Sequence, residues 1–209
     1  MFIPEHFRVE DEKAIFEIID AYPFSTLVSR SADTIVANHI PLIRNNAKAE
    51  LVLFGHMANA NPHLQQIKNG EEQLCIFQGP HNYISPRAYC NPGVPTWNFV
   101  SIHCYGVPRL ITSDKQAAKL LDKMVSYFEA TNWDATHLTE EHYAKSLSAI
   151  QHFEIKIDRL EAKFKLSQNK EYDDQWGVLE YLNTPKENST PTLLELVKTH
   201  CRIAGFIGK

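Results

Sequence analysis

Residues 94–106 read VPTWNFVSIHCYG, and residues 76–86 just ahead of them read IFQGPHNYISP. In the first stretch Val100, Ile102 and Cys104 alternate with Ser101, His103 and Tyr105. That period of two is a strand with one apolar and one polar face, and it puts His103 on the less buried side. Between Gly79 and Trp97 lie Pro80, Pro86, Pro92 and Pro95. Each proline fixes φ and removes a ladder donor, so the interval reads as a long loop rather than a helix or a central strand. Loops of that length are uncommon in compact domains and are often functional. This one holds His81, Asn82, Tyr83, Ser85, Arg87 and Tyr89.

Outward from that centre, β-formers precede it in PFSTLVS, TIVANHIPLIR and LVLFGHM, which read as an antiparallel meander, and EQLCIFQ follows as a fourth strand. Ahead of them Ile15, Ile18, Ile19 and Tyr22 fall at helical spacing behind a run of acids, so one amphipathic helix over residues 10–22 opens the chain. Asn61-Pro62 starts a short helix through Ile67. Downstream, Ser113 with Gln116 forms a capping box before the stripe Ala117, Leu120, Leu121, Met124, Val125 and Phe128. A shorter helix covers residues 140–150. Phe153, Ile155 and Ile157 then alternate with charged residues, and Leu160, Ala162, Phe164 and Leu166 resume in the opposite parity, which predicts a bulge or bend near Asp158-Arg159. After the polar linker NTPKENST the tail is helical around Leu193–Val197. The pattern is α+β: mostly antiparallel strands with flanking helices, 1–169 as the main domain and 170–209 as a helical extension packed on it.

The 209 residues suffice for one well-buried core, and 44% hydrophobic with 22% charged residues is ordinary for a globular chain. A net charge of −4 supplies no global field for a phosphate backbone. Direct DNA binding is therefore possible but unsupported by charge; it would need a local basic face, for which Arg87, Arg109, Lys163 and Lys165 are the candidates. Apolar runs such as Leu51–Phe54 are far short of a bilayer span and the N-terminus is acidic, so no membrane partner and a cytoplasmic location are expected. The Asn188-Ser189-Thr190 sequon carries little weight in that setting. Cys75, Cys90, Cys104 and Cys201 lack any C-x-x-C pair, which fits reduced, mostly buried thiols and no metal site.

The G-x-G-x-x-G, P-loop, H-E-x-x-H and G-x-S-x-G signatures are all missing from the sequence, and no helix-turn-helix pattern is evident. Polar clusters remain at the strand ends: Asn38-His39-Ile40-Pro41, then GHMANANPH over residues 55–63, GPHNYISP, and Pro95-Thr96-Trp97-Asn98. One histidine of the ten is more often a structural side chain than a ligand, and a lone tryptophan is more often a core anchor than a stacking plate. Together, however, these clusters place amides, hydroxyls, imidazoles and aromatics beside small residues, which suits a phosphorylated planar cofactor. Asn59–Asn61 leading into a helix offers N–H donors to its phosphate.

FSTLVS, ANHIPL, GHMANANPH, IFQGPHNYISP, VPTWNFVSIHCYG and KFKLSQN resemble, in order, the successive blocks of the PaiB family, FMN-binding negative transcriptional regulators of sporulation and protease production. The resemblance covers about four fifths of the chain; Leu64, where the family often has an aromatic, and residues 87–93 depart from it. It implies a split β-barrel of the pyridoxamine-phosphate-oxidase-like group and a homodimer with FMN at the subunit interface. It places Asn38, His39, Ile40 and Pro41 on the strand bordering the isoalloxazine, and His56, Met57, Ala58 and Asn61 around the ribityl phosphate. Tyr83, Ser85, Thr96, Trp97 and Asn98 close the pocket, and Lys165, Ser167, Gln168 and Asn169 supply charge and hydrogen bonds. Catalytic residues are not implied. Three functions stay open: a regulator sensing through its flavin, a flavin-dependent oxidoreductase acting on a small molecule, and a carrier of flavin or haem.

Overall fold

The computed structural model describes residues 1–31, 34–48, 50–129, 139–183 and 191–201. In chain order its elements are α1 (Glu12–Ala21), β1 (Phe24–Ser31), β2 (Thr34–Pro41), β3 (Ile43–Arg44), β4 (Val52–Ala58), α2 (Leu64–Lys68), β5 (Gln73–Ile84), β6 (Thr96–Leu110), α3 (Asp114–Glu129), α4 (Glu140–Ser148), β7 (Ile150–Lys165), α5 (Tyr172–Asn183) and α6 (Pro191–His200), with a 3-10 turn at Glu5–Phe7 and another at Pro86–Ala88. The strands form one sheet in the order β2-β1-β5-β6-β7-β4-β3, and the pairs β1–β2, β1–β5, β3–β4 and β4–β7 are antiparallel. The class is α+β, as the sequence pattern indicates. Of the polar linker NTPKENST, Asn183 ends α5, and residues 184–190 with the sequon lie outside the described residues.

Two expectations need correction. The first three β segments are not a simple meander: β1 and β2 form a hairpin, but β4 pairs along its length with β7, from Val52↔Lys156 to Ala58↔Ile150. The unbroken apolar run of β4 is buried on both faces, whereas β2 alternates and stays largely exposed. A strand covered on both faces belongs inside the sheet order, and one covered on a single face can sit at its end. The second correction concerns residues 79–97, which are not all loop, because β5 continues through Pro80 to Ile84. Its ladder with β1 spans only Gln73–Ile76, so the N–H missing at Pro80 breaks no bond to β1.

The chain divides into two compact units. One comprises Met1–Ile18, Gln78–Ile102 and Glu161–Lys209. Its core includes Ile84, Val100, Phe164, Leu166, Val178, Leu179 and Val197. α5 lies so close to the Pro86–Ala88 turn that a Cβ at Gly177 would stand 2.0 Å from the Ala88 carbonyl oxygen. The Asp174 carboxylate accepts from the Cys90 and Asn91 N–H groups at 2.9 and 3.0 Å, which fixes the loop after that turn.

The other unit comprises Ile19–Phe77 and His103–Leu160, with Leu27, Leu42, Leu53, Phe77, Phe153 and Ile155 in its core and Ile43, Phe54 and Ile111 clustered with Leu120 and Met124 of α3. The parity change in β7 is real. Phe153 and Ile155 are buried, Asp158 and Arg159 are both exposed, and Ala162 and Phe164 are buried again in the opposite phase. The four cysteines are free thiols; Cys75, Cys104 and Cys201 are buried, which pushes all three up from their usual pKa, and Cys90 is exposed.

Candidate functional site

The sequence-predicted residues fall into two sets, one in each unit. In the first unit Lys165, near the end of β7, is the centre. Its Nζ donates to Thr96 Oγ1 at 2.6 Å and to the Trp97 carbonyl at 2.7 Å, so β7 and the start of β6 are tied by one cation. Burial, then the neighbouring Lys163 and Lys170 charges, hold its pKa below the ordinary lysine value. An anion placed there would oppose the repulsion from those two lysines.

Beside Lys165 stands an aromatic plate. Trp97 is 51% exposed and Tyr83 41% exposed, with ring centroids 6.3 Å apart, and His81 lies 5.6 Å from Trp97. Trp97 is therefore not a core anchor; the pleat sends its neighbour Asn98 inward instead, at 0% exposure. Asn98 Oδ1 accepts from Ser167 Oγ at 3.0 Å, and its Nδ2, fully buried, has no partner among the described residues. Ser167 is held at φ 71°, a left-handed conformation that is uncommon outside glycine. Gln168 spends its amide locally, accepting from Leu166 N and donating to the Phe164 carbonyl. Ser85 Oγ caps the Pro86–Ala88 turn through Arg87 N at 3.3 Å, and Asn169 is exposed.

In the second unit β2 carries Asn38, His39, Ile40 and Pro41, and β4 carries His56, Met57 and Ala58. His39 is exposed and its Nδ1 meets Thr26 Oγ1 at 3.0 Å across the β1–β2 pair. Met57 and Ile40 are buried, and Ala58 is exposed. His63 organises Asn38 and Asn61. It is 0% exposed; its Nδ1 accepts from Asn38 Nδ2 at 2.8 Å, which leaves the proton on Nε2, facing Ser29 Oγ at 2.7 Å and Gln73 Oε1 at 3.1 Å. Asn61 donates to Asn38 Oδ1 at 3.2 Å and accepts from His63 N at 3.0 Å. Burial lowers the His63 pKa, against smaller raising contributions from Gln73 and Glu71, so the neutral ring is favoured.

The loop before α2 is less open to a phosphate than its sequence suggests. Asn59 N donates to the Ala149 carbonyl, Asn61 N to Ala58 and Leu64 N to Asn61, and α2 itself is only five residues long. His63 was visible in the ANANPH motif as a residue type, but not as a buried hub. Lys170, 4.8 Å above the Tyr89 ring, had no sequence signal beyond its place next to KLSQN.

A half-buried lysine, exposed aromatic faces and a buried amide donor without a partner suit a planar group bearing an anionic phosphate. Residues 1–159 match the family model described as "Putative FMN-binding domain". The chain belongs to this family. Over 202 residues it is 31% identical to the Bacillus subtilis protein named protease synthase and sporulation protein PAI 2, covering 95% of this chain and 97% of that one. An uncharacterised Saccharomyces cerevisiae protein is 30% identical across 55% of this chain and 82% of its own length.

Among solved structures the flavocytochrome Anf3 of Azotobacter vinelandii superposes with a TM-score of 0.61 at 14% identity, over 76% of this chain and 69% of that one. The FAD- and haem-binding protein of Mycobacterium smegmatis superposes with a TM-score of 0.59 at 16% identity, over 76% and 73%. The fold of this FMN-binding family member is the split β-barrel, and FMN is its cofactor.

Proposed function

We propose that this FMN-binding protein is a regulator of gene expression of the PaiB type, working as a cytoplasmic homodimer whose flavin reports redox state. The observation that carries the flavin-dependent part is the Lys165 cluster, in which a cation fixed on Thr96 and Trp97 lies beside the exposed Trp97–Tyr83 faces. The regulatory part is supported by the end-to-end match to a relative named for protease synthesis and sporulation.

Bound FMN would supply a reversible redox couple. The chain's own residues bind and orient it. Lys165 would hold negative charge, Trp97 and Tyr83 would cover a ring face, and Asn98 Nδ2 would find an acceptor. In this reading residues 1–169 form the FMN-binding part and 170–209 a helical extension, and regulation is indirect rather than through a basic DNA-reading face.

The test compares transcripts in a deletion strain complemented with the wild-type chain or with Lys165→Met. Deregulation that is rescued by wild type and not by the variant is expected. Unchanged transcripts on deletion, or full rescue by a variant shown to have lost FMN, would overturn the reading. Sedimentation of the purified protein should give about twice 23.9 kDa; a stable monomer that still binds FMN refutes the dimer.

A further inference from the structure

A cavity of about 570 Å³ lies wholly within the second unit, between the start of α3 and the end of α4. Ile111 and Leu147 give it apolar walls, and Asn59, Asp114, Gln151 and His152 give it polar ones. The polar atoms are biased to one chemistry. Gln151 Nε2 donates to the Ile111 and His152 carbonyls at 2.9 and 3.0 Å, and Asn59 Nδ2 donates to the Ser148 carbonyl at 2.7 Å. Ser148, also on the lining, spends its hydroxyl proton on the Lys145 carbonyl.

Both N–H groups of Gln151 and one of Asn59 are thereby spent, and Thr112 adds a hydroxyl that can donate or accept; Asn59 Oδ1 and Gln151 Oε1 offer acceptors, and the Asp114 carboxylate adds a negative charge. No lysine or arginine is among the described residues that line the cavity. Among the lining residues His152 is 1% exposed and its Nε2 has no partner among the described residues. α4 buries none of its own side chains. The occupant that such a cavity selects carries hydrogen-bond donors and positive charge at one end and an apolar body at the other.

We propose that this cleft binds a primary ammonium group carried on a short apolar chain, at a site that uses no residue of the Lys165 cluster. Burial, with His56 acting in the same direction from a ring 5.1 Å away, keeps His152 neutral near pH 7, so this lining residue offers no repulsion to a cation. Asp114 supplies the charge, the two amide oxygens supply acceptors, and Ile111 and Leu147 pack on the chain.

The experiment uses FMN-saturated protein titrated calorimetrically with hexylammonium, hexanol and hexanoate. Saturable binding of hexylammonium is expected, clearly tighter than hexanol, with none of hexanoate. Asp114→Asn, at an exposed helix start, should weaken hexylammonium about threefold to fivefold, in keeping with a solvent-exposed ion pair. Leu147→Arg, which puts a guanidinium into the cleft, should abolish it. FMN affinity should not change in either variant. Equal binding of hexanoate, absence of saturable hexylammonium binding, or indifference to both substitutions overturns the proposal.

Discussion

Replacing Lys165 by methionine removes a charge while keeping most of the side chain's volume. In the flavin-free protein the change deletes two charge-assisted bonds, to Thr96 Oγ1 and the Trp97 carbonyl. It also removes a partly desolvated cation that Lys163 and Lys170 repel. Those effects oppose each other, and the net cost in stability should stay near 1 kcal/mol. Binding should suffer far more. Two unit charges about 4 Å apart at an effective dielectric of 20 attract by about 4 kcal/mol. Discounting half of that for a half-buried side chain gives a loss of about 2 kcal/mol, about 30-fold in Kd. Flavin fluorescence titrated with the wild-type and Lys165→Met proteins measures it, with riboflavin as the control ligand. A large loss for FMN and little for riboflavin assigns Lys165 to the phosphate, and equal losses assign it to the ring system. An FMN affinity unchanged in a folded variant refutes Lys165 as the charge that binds the cofactor.

Trp97→Ala should weaken FMN by about 1–3 kcal/mol through lost stacking area, while the melting temperature of the flavin-free protein barely moves, because the ring is 51% exposed; equal drops with and without FMN would show a packing role instead. Acid should destabilise the fold through His152, whose pKa is lowered from 6.5 to about 4 by burial and then by His56. The unfolded chain binds the proton first, so stability is intact above pH 6.5 and is lost as pH falls toward 4, by about 3 kcal/mol in all. Urea unfolding across that range should show the slope in wild type and a shallower one in His152→Gln; identical slopes count against the assignment.

What the sequence made legible was local. The spacing of Ile15, Ile18 and Ile19 marks α1, the Ser113 cap marks the start of α3, and the slipped parity between Ile157 and Leu160 marks a change of buried face in β7. What stayed hidden depended on partners far along the chain. β4 pairs with a strand about a hundred residues away, and Pro80 is tolerated in β5 because the β1 ladder has already ended at Ile76. No local pattern encodes either fact.

The same division runs through the candidate site. Residue types were readable, but the direction in which each side chain spends its hydrogen bonds was not. Asn38 and Asn61 look like equivalent polar donors in sequence, yet both are turned onto His63, a buried hub that also reaches Ser29 and Gln73. Lys165 and Asn98 look less distinctive, yet one carries a half-buried charge and the other a buried amide nitrogen without a partner. Desolvated groups whose capacity is unspent are the ones able to gain from a ligand, while satisfied ones fix the frame. On that ground the cofactor's binding energy is expected to concentrate on the β6–β7 cluster around Lys165, with the Asn38–Asn61–His63 network acting to hold β2 and the loop before α2 in place.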